Sequence, residues 1–213
     1  MIIWTAVALI TGYFIGSLHG SSIAQLLTGI NIKKEGVKNS GASNAAIVLG
    51  WKYGVLVAFL DIFKGFAAVA GLRFLLVGFS LSDEVVWTLL FVIGAGVVFG
   101  HNFPFHMNFE GGKGTAAVIG VMLALDWKLG LAGGLLMVAA ALTTGYMVVG
   151  VLLLYGMFMA IAFWPAESIW PVLMALLLCA MAFWKHLENI GRIKNGTEPK
   201  VSSVFKKKPA GSS

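Results

Sequence analysis

Apolar residues run in long tracts separated by short polar breaks: Ile2 to Leu27, Ala45 to Phe79, Val85 to Phe103, Thr115 to Leu125, Leu129 to Leu142, Tyr146 to Trp164 and Ser168 to Trp184. Several approach the roughly 20 residues a helix needs to cross about 30 Å of hydrocarbon. Hydrocarbon offers no hydrogen bonds to the peptide backbone, so tracts of this kind are predicted as helices. The pattern predicts an all-α, polytopic membrane protein with about seven transmembrane or half-membrane helices. Residues 1–198 form one integral membrane domain on this reading. Residues 199–213, rich in Lys, Pro and Ser, are predicted as a disordered basic cytoplasmic tail.

The polar breaks differ in charge, which orients the tracts. Lys33, Lys34 and Lys38 fill the first, and Lys185, Arg192, Lys194, Lys200 and Lys206 to Lys208 follow the last tract. Positive charge is retained on the cytoplasmic side, so both should lie inside. Ser80 to Glu84 and Pro165 to Glu167 carry acid without base and should lie outside, with Arg73 as an exception near the outer end of its tract. If Gly111 to Lys113 is inside, the chain from Gly114 to Gly145 must leave that face and return, turning at Asp126-Trp127-Lys128. Its two limbs are about 18 to 24 Å long at 1.5 Å per residue, short helices or a re-entrant pair that other protein must cover. The N-terminus is then outside and the C-terminus inside.

Composition narrows the classes further. With 59% hydrophobic residues, 11% charged and a mean hydropathy of +0.90, the chain could not wet the surface of a soluble domain. Its 27 glycines suit helices that pack closely in lipid. The net charge of +6 reports topology and anionic headgroups rather than nucleic acid. Cys179 is the only cysteine, so no intrachain disulfide forms, and no Cys/His cluster has zinc spacing. Ile2 to Leu18 lacks a basic leader and a small-residue cleavage site, and is read as a retained helix.

Polar chemistry gathers in three places. Gly36-Val37-Lys38-Asn39-Ser40-Gly41-Ala42-Ser43-Asn44 precedes an apolar run. It is either a turn presenting backbone N–H groups to an anion or an ordinary loop capped by Ser43 or Asn44. Gly100-His101-Asn102-Phe103-Pro104 leads into Glu110-Gly111-Gly112-Lys113-Gly114-Thr115. There the glycines would let the backbone wrap a phosphate, with Lys113 and a helix start at Thr115 adding positive field; a glycine-rich membrane turn with a snorkelling lysine is the alternative. In the third, His186 and Asn189 share a helical face, and Glu188 and Arg192 are spaced to pair on another. Asp61 and Lys64 stand one turn apart in an apolar tract, either a site or a helix-locking ion pair.

Together these clusters resemble the bacterial glycerol-3-phosphate acyltransferases that take acyl phosphate as donor. The resemblance runs from about Gly16 to Glu198. It is carried by Asp61-Ile62-Phe63-Lys64-Gly65, Gly100-His101-Asn102-Phe103-Pro104, Gly111-Gly112-Lys113-Gly114, and His186-x-Glu188-Asn189-x-x-Arg192 with Asn195-Gly196-Thr197-Glu198. It implies a seven-helix fold in the bacterial plasma membrane, with the motifs on the cytoplasmic side. The implied reaction moves a fatty acyl group from acyl phosphate to glycerol 3-phosphate, giving lysophosphatidic acid, with no metal or cofactor. An enzyme supplying acyl phosphate is the implied partner.

The resemblance also assigns candidate roles. His186, Asn189 and Lys113 are the catalytic candidates. Gly36, Lys38, Asn39, Gly41, Ser43, Asn44, His101, Asn102, Gly111, Gly112, Gly114 and Arg192 are candidates for binding substrate phosphate, while Asp61, Lys64 and Glu188 are structural polar groups. The first motif departs from the family: Val37 stands for serine, Lys38 for glycine, Ser43 for threonine and Ile47 for arginine, and upstream His19 stands for proline. Valine and isoleucine supply neither hydroxyl nor charge, although Lys38 restores one positive charge. An impaired paralogue that binds lipid phosphate or a partner, and a small anion transporter, therefore stand as alternatives.

Overall fold

The computed structural model describes residues 2–164 and 168–202, and among these it contains nine α-helices and no strand. They are α1 (Ile2–Ser17), α2 (Gly20–Thr28), α3 (Ala42–Leu49), α4 (Trp51–Leu76), α5 (Asp83–Asn102), α6 (Thr115–Leu125), α7 (Trp127–Thr144), α8 (Met147–Phe163) and α9 (Ile169–Lys194). The seven expected segments are present, as nine α-helices because two apolar tracts break. The first breaks at Leu18 and His19, and the second at Gly50, whose φ of 95° a side chain would oppose. Five segments are long and apolar enough to cross a membrane, and α6 and α8 are shorter apolar helices.

Helix α5 is the axis of the bundle. Its N-terminal end is set by Ser82, whose hydroxyl accepts a hydrogen bond from Val85 N–H at 3.4 Å, with Asp83 and Glu84 in the first turn to meet the helix dipole. From Thr88 to Val98 its side chains are buried on every face, because α1, α4, α6 and α9 all pack against it. Contact with α1 is backbone to backbone: a Cβ on Gly96 would lie 2.5 Å from the Leu9 carbonyl oxygen. In lipid, where apolar burial no longer separates helix from tail, such close approach supplies the packing.

Two loops at the opposite end of α5 are tied together. Tyr13 Oη donates to the Phe103 carbonyl at 3.0 Å, and Lys33 pairs with Glu110 at 3.7 Å. Lys185, just before the third cluster, donates to the Asn102 carbonyl at 3.5 Å, so all three polar clusters lie at one end of the bundle, and the contact of Trp4 with Phe79, ring centroids 4.9 Å apart, belongs to the other. Arg73, the charge that did not fit the loop pattern, donates to the Leu125 carbonyl at 3.2 Å and satisfies the end of the short helix α6.

Helix α6 keeps the expected Thr115 to Leu125 bounds, which cover only about 16 Å at 1.5 Å per residue, but its return limb is longer than the Leu129 to Leu142 reading. The turn shrinks to Asp126 alone, whose carboxylate accepts from Leu129 N–H at 2.9 Å and starts α7 two residues early. The last helix likewise continues past Trp184 to Lys194. Pro199 to Ser202, expected to be disordered, fold back instead: Val201 N–H donates to the Gly145 carbonyl at 2.9 Å. The remainder of the expected tail, and the Pro165 to Glu167 connection, lie outside the described residues.

Inside the bundle, Lys64 is an ammonium that holds several elements at once. It lies 2.8 Å from Asp61, 2.9 Å from His101 Nδ1 on α5, and 2.9 and 2.6 Å from the carbonyls of Gly16 and Leu18 where α1 ends. Removing it leaves a buried carboxylate, the buried Gly16 carbonyl and the partly buried Leu18 carbonyl without this partner. Lys64→Met is expected to cost about 3 to 5 kcal/mol, and the double change Asp61→Asn with Lys64→Met to recover part of the loss. Thermal unfolding in detergent checks this; a single variant as stable as wild type would show that the cluster does not hold the helices.

Candidate active site

A cavity of about 350 Å³ opens among α3, α4, α6, α7, α8 and α9 at the end of the bundle that carries the polar loops. Its walls are built from all three sequence clusters. From the first come Lys38, Asn39, Gly41, Ser43 and Asn44; from the second, His101, Lys113 and Gly114; from the third, His186, Glu188, Asn189 and Arg192. Ile47, Ala58, Ile62 and Ile119 continue the walls as an apolar surface.

Three helices begin at this cavity without a side-chain cap, and one of them, α8, starts after Tyr146 with Met147 and Val148 in the wall. Helix α3 starts after Gly41, not at a cap formed by Ser43 or Asn44, and α6 starts after Gly114. Gly114 takes φ 81°, and a Cβ there would lie 3.0 Å from Asn102 Oδ1. Uncapped first turns leave N–H groups and the positive end of the helix dipole facing the cavity, a setting suited to anions.

Asn44 is spent on the loop rather than on a ligand. Its Oδ1 accepts from Val37 N–H at 2.9 Å, and its Nδ2 donates to the carbonyls of Ile32, Glu35 and Asn39 at 2.8, 3.2 and 2.7 Å. Asn39 Oδ1 accepts from Gly41 N–H at 2.7 Å. The two asparagines thus fold the loop so that the start of α3 faces inward.

Several expected phosphate groups are placed elsewhere. Gly111 N–H donates to the Asn102 carbonyl and Gly112 N–H to that of His101, each at 3.0 Å, so the glycine pair closes a turn and its donors are not free for a phosphate. Gly36, Gly111, Gly112 and Asn102 do not line the cavity. The Asn102 side chain is buried beneath Gly114 and has no hydrogen-bond partner among the described residues.

Lys113 is the central cation of the remaining wall. It donates to Asn189 Oδ1; Asn189 Nδ2 donates to Glu198 Oε1 at 2.6 Å, and Arg192 Nε donates to Glu198 Oε2 at 2.6 Å. Glu198 fixes the orientation of the Asn189 amide and holds Arg192, whose contact with Glu188 is longer, at 3.8 Å. In the sequence Glu198 stood within a motif but carried no expected role. Its six-residue separation from Arg192 crosses the end of α9, where no helical spacing rule applies. Burial, followed by the nearby Arg192 guanidinium, pushes the Lys113 ammonium down to about 8.

Of the two histidines that line the cavity, only His186 keeps a ring nitrogen free to accept a proton. Its Nδ1 bonds to the Ala182 carbonyl at 2.8 Å, which requires a proton there and leaves Nε2 with a lone pair. His101 Nδ1 faces the Lys64 ammonium, so its proton lies on Nε2, against Gly112. His19, Asp61 and His101 have ligating atoms within 4.8 Å of one another. Lys64 already bridges Asp61 and His101, however, and the two imidazoles stack with centroids 4.5 Å apart, so their lone pairs run side by side rather than converging.

A helical membrane protein with uncapped helix starts, a half-buried lysine and an available imidazole around one apolar-walled cavity is built for chemistry on a phosphate-bearing lipid precursor. Residues 6–196 match the family model for glycerol-3-phosphate acyltransferase. Glycerol-3-phosphate acyltransferase 1 of Oceanobacillus iheyensis is 41% identical over 202 residues, 95% of this chain and 97% of that one. A glycerol-3-phosphate acyltransferase of Thermus thermophilus is 33% identical, over 93% of this chain and 94% of that one. The crystal structure of PlsY, an integral membrane glycerol 3-phosphate acyltransferase, in its glycerol 3-phosphate form superposes with a TM-score of 0.81 at 28% identity, covering 95% of this chain and 99% of that one. Its lysophosphatidic acid form gives 0.78 at 29%, with the same coverage. The chain belongs to the glycerol-3-phosphate acyltransferase family.

The lowered Lys113 value carries a pH dependence. The ammonium is present below about pH 8 and is lost above it, whereas a phosphate monoester carries its second charge above about pH 6. The KM for a phosphate-bearing substrate is expected to rise as pH climbs through 8, and Lys113→Arg to move that rise to higher pH. Initial rates from about pH 6 to about pH 10 check this, a range that brackets the lysine and the phosphate. An unmoved limb in the arginine variant would assign it to another group.

Proposed function

We propose that the cavity joins a fatty acyl group, delivered as acyl phosphate, to the primary hydroxyl of glycerol 3-phosphate. The protein is a membrane acyltransferase whose product is lysophosphatidic acid. The observation that carries the reading of the site is the pair of uncapped helix starts, at Ala42 and Thr115, that face one cavity with a lysine in the loop before each, Lys38 and Lys113: a reaction between two phosphate-bearing molecules needs two anion cradles. Neither the transporter nor the impaired-paralogue alternative has support in the family likeness.

In this reading the start of α6 and Lys113 hold one phosphate and the start of α3 holds the other. The hydroxyl oxygen of glycerol 3-phosphate attacks the carbonyl carbon of the mixed anhydride. An ester C–O bond forms, the C–O bond to phosphate breaks, and inorganic phosphate leaves. His186 Nε2 accepts the hydroxyl proton. Phosphate is already a good leaving group, so alignment and charge neutralisation are the principal tasks of the site. The acyl chain lies along Ile47, Ala58, Ile62 and Ile119. A partner enzyme supplies acyl phosphate from the cytoplasm, where the polar end of the bundle faces; the N-terminus lies outside.

Purified protein is expected to release inorganic phosphate and form lysophosphatidic acid from acyl phosphate and glycerol 3-phosphate, but to form none from acyl coenzyme A. Removing a charge-assisted phosphate contact in Lys113→Ala should lower catalytic efficiency about tenfold to a hundredfold. Unchanged kinetics would leave Lys113 as a topology lysine only.

Orientation is tested separately in cells, with Cys179 replaced by alanine. Cysteines at Lys34 and Lys200 should be shielded from impermeant thiol reagents, and one at Ser82 should label. Labelling at Lys34 from outside would reverse the topology.

A further inference from the structure

Lys38 combines three features that a loop lysine has no need to combine. Its backbone sits at φ 53°, in the left-handed region where a residue with a Cβ is disfavoured. It lines the reaction cavity at its solvent-exposed rim. Among the described residues, no carboxylate pairs with its ammonium and no side-chain hydrogen bond holds it.

The surrounding wall explains what that charge does. Val37, Ala42 and Ile47 on the same side of the cavity are apolar, and Asn39 and Asn44 spend their side chains on the loop. Across the cavity Arg192 is neutralised by Glu198 and Glu188. Among the described residues, Lys38 is therefore the sole cation that the α2–α3 loop and α3 bring to the cavity, beside the uncapped start of α3. Backbone strain retained at a cavity wall points to a side chain kept for its chemistry.

We propose that Lys38 is a ligand for substrate phosphate, a specificity-determining cation held at a backbone position that favours glycine because its charge completes the cradle at α3. The proposal rests on the acyl-transfer reading of the cavity. The ligand chemistry is a phosphate group, which either the acyl donor or glycerol 3-phosphate brings, and the arms of the test separate the two.

Glycine, alanine and arginine at position 38 separate charge from strain. Lys38→Gly and Lys38→Ala both remove the ammonium, but only alanine keeps the positive-φ penalty, so the glycine variant should unfold at the higher temperature in detergent. Both should raise the KM of one substrate about tenfold or more, leaving the other's KM unchanged, while Lys38→Arg should spare both. The substrate whose KM rises identifies the phosphate at α3.

Calorimetric titration of glycerol 3-phosphate and of inorganic phosphate into the same proteins reads binding without turnover. A wild type that binds phosphate but transfers no acyl group would defeat the acyl-transfer reading, yet still leave Lys38 to be judged by the loss of binding in its variants. Glycine and alanine variants with wild-type KM values and wild-type phosphate binding would overturn the proposal. So would an arginine variant as impaired as alanine, since the charge would then not be what matters.

Discussion

The buried Lys64 ammonium is the constraint on which the site depends. One charged group reaches a carboxylate on its own helix, an imidazole on α5 and two carbonyls at the end of α1. Each of these acceptors would be costly to leave unpaired in a low-dielectric interior. The break between α1 and α2, a weak point in an otherwise continuous apolar tract, is thereby locked against the bundle axis. Asp61 also accepts from Gly20 N–H, at 3.3 Å, so the helix that resumes after the break is held by the same pair. Because Asp61 and His101 line the cavity as well, the lock and the site share a wall.

From that anchor the site is assembled by helix starts rather than by a single binding loop. Close packing of α6 on α4 requires a glycine: a Cβ on Gly120 would lie 2.8 Å from Phe66 N. That contact aims the first turn of α6 at the cavity, and Gly114 lets the chain enter the turn from a left-handed residue. The α3 start is aimed by different means, the hydrogen bonds of Asn44 and Asn39 within the preceding loop. Two anion-binding ends built independently can be spaced for two substrates, and α6 can stay short because the surrounding helices cover its inner end.

The third cluster works as a relay. Glu198 lies beyond the end of α9, yet it orients Asn189, which orients Lys113, while the same carboxylate holds Arg192. The carboxylate spends its charge on Arg192 and an amide, so Lys113 meets only a neutral acceptor and retains its charge for a ligand. Burial lowers its proton affinity, which makes the cation responsive close to physiological pH.

Hydrophobic tracts, loop charge and the residues of the three clusters were legible in the chain itself. The solvent decides those features directly: lipid demands apolar residues at every exposed position of a span, and a charged loop does not cross. The pairing of Asp61 with Lys64 was legible for the same reason, since three residues along a helix fix a shared face. The breaks at His19 and Gly50 were not, because an apolar tract reads alike whether it is one helix or two. Nor did glycine content reveal that the donors of Gly111 and Gly112 were already taken, or that Asn44 served its loop. The joining of Lys64 to α1 and α5, the role of Glu198 and the inward aim of two helix starts depend on contacts between residues far apart in the chain. Such contacts have no period and no fixed spacing, so only packing in three dimensions decided which polar groups were spent on the fold and which were left for a substrate.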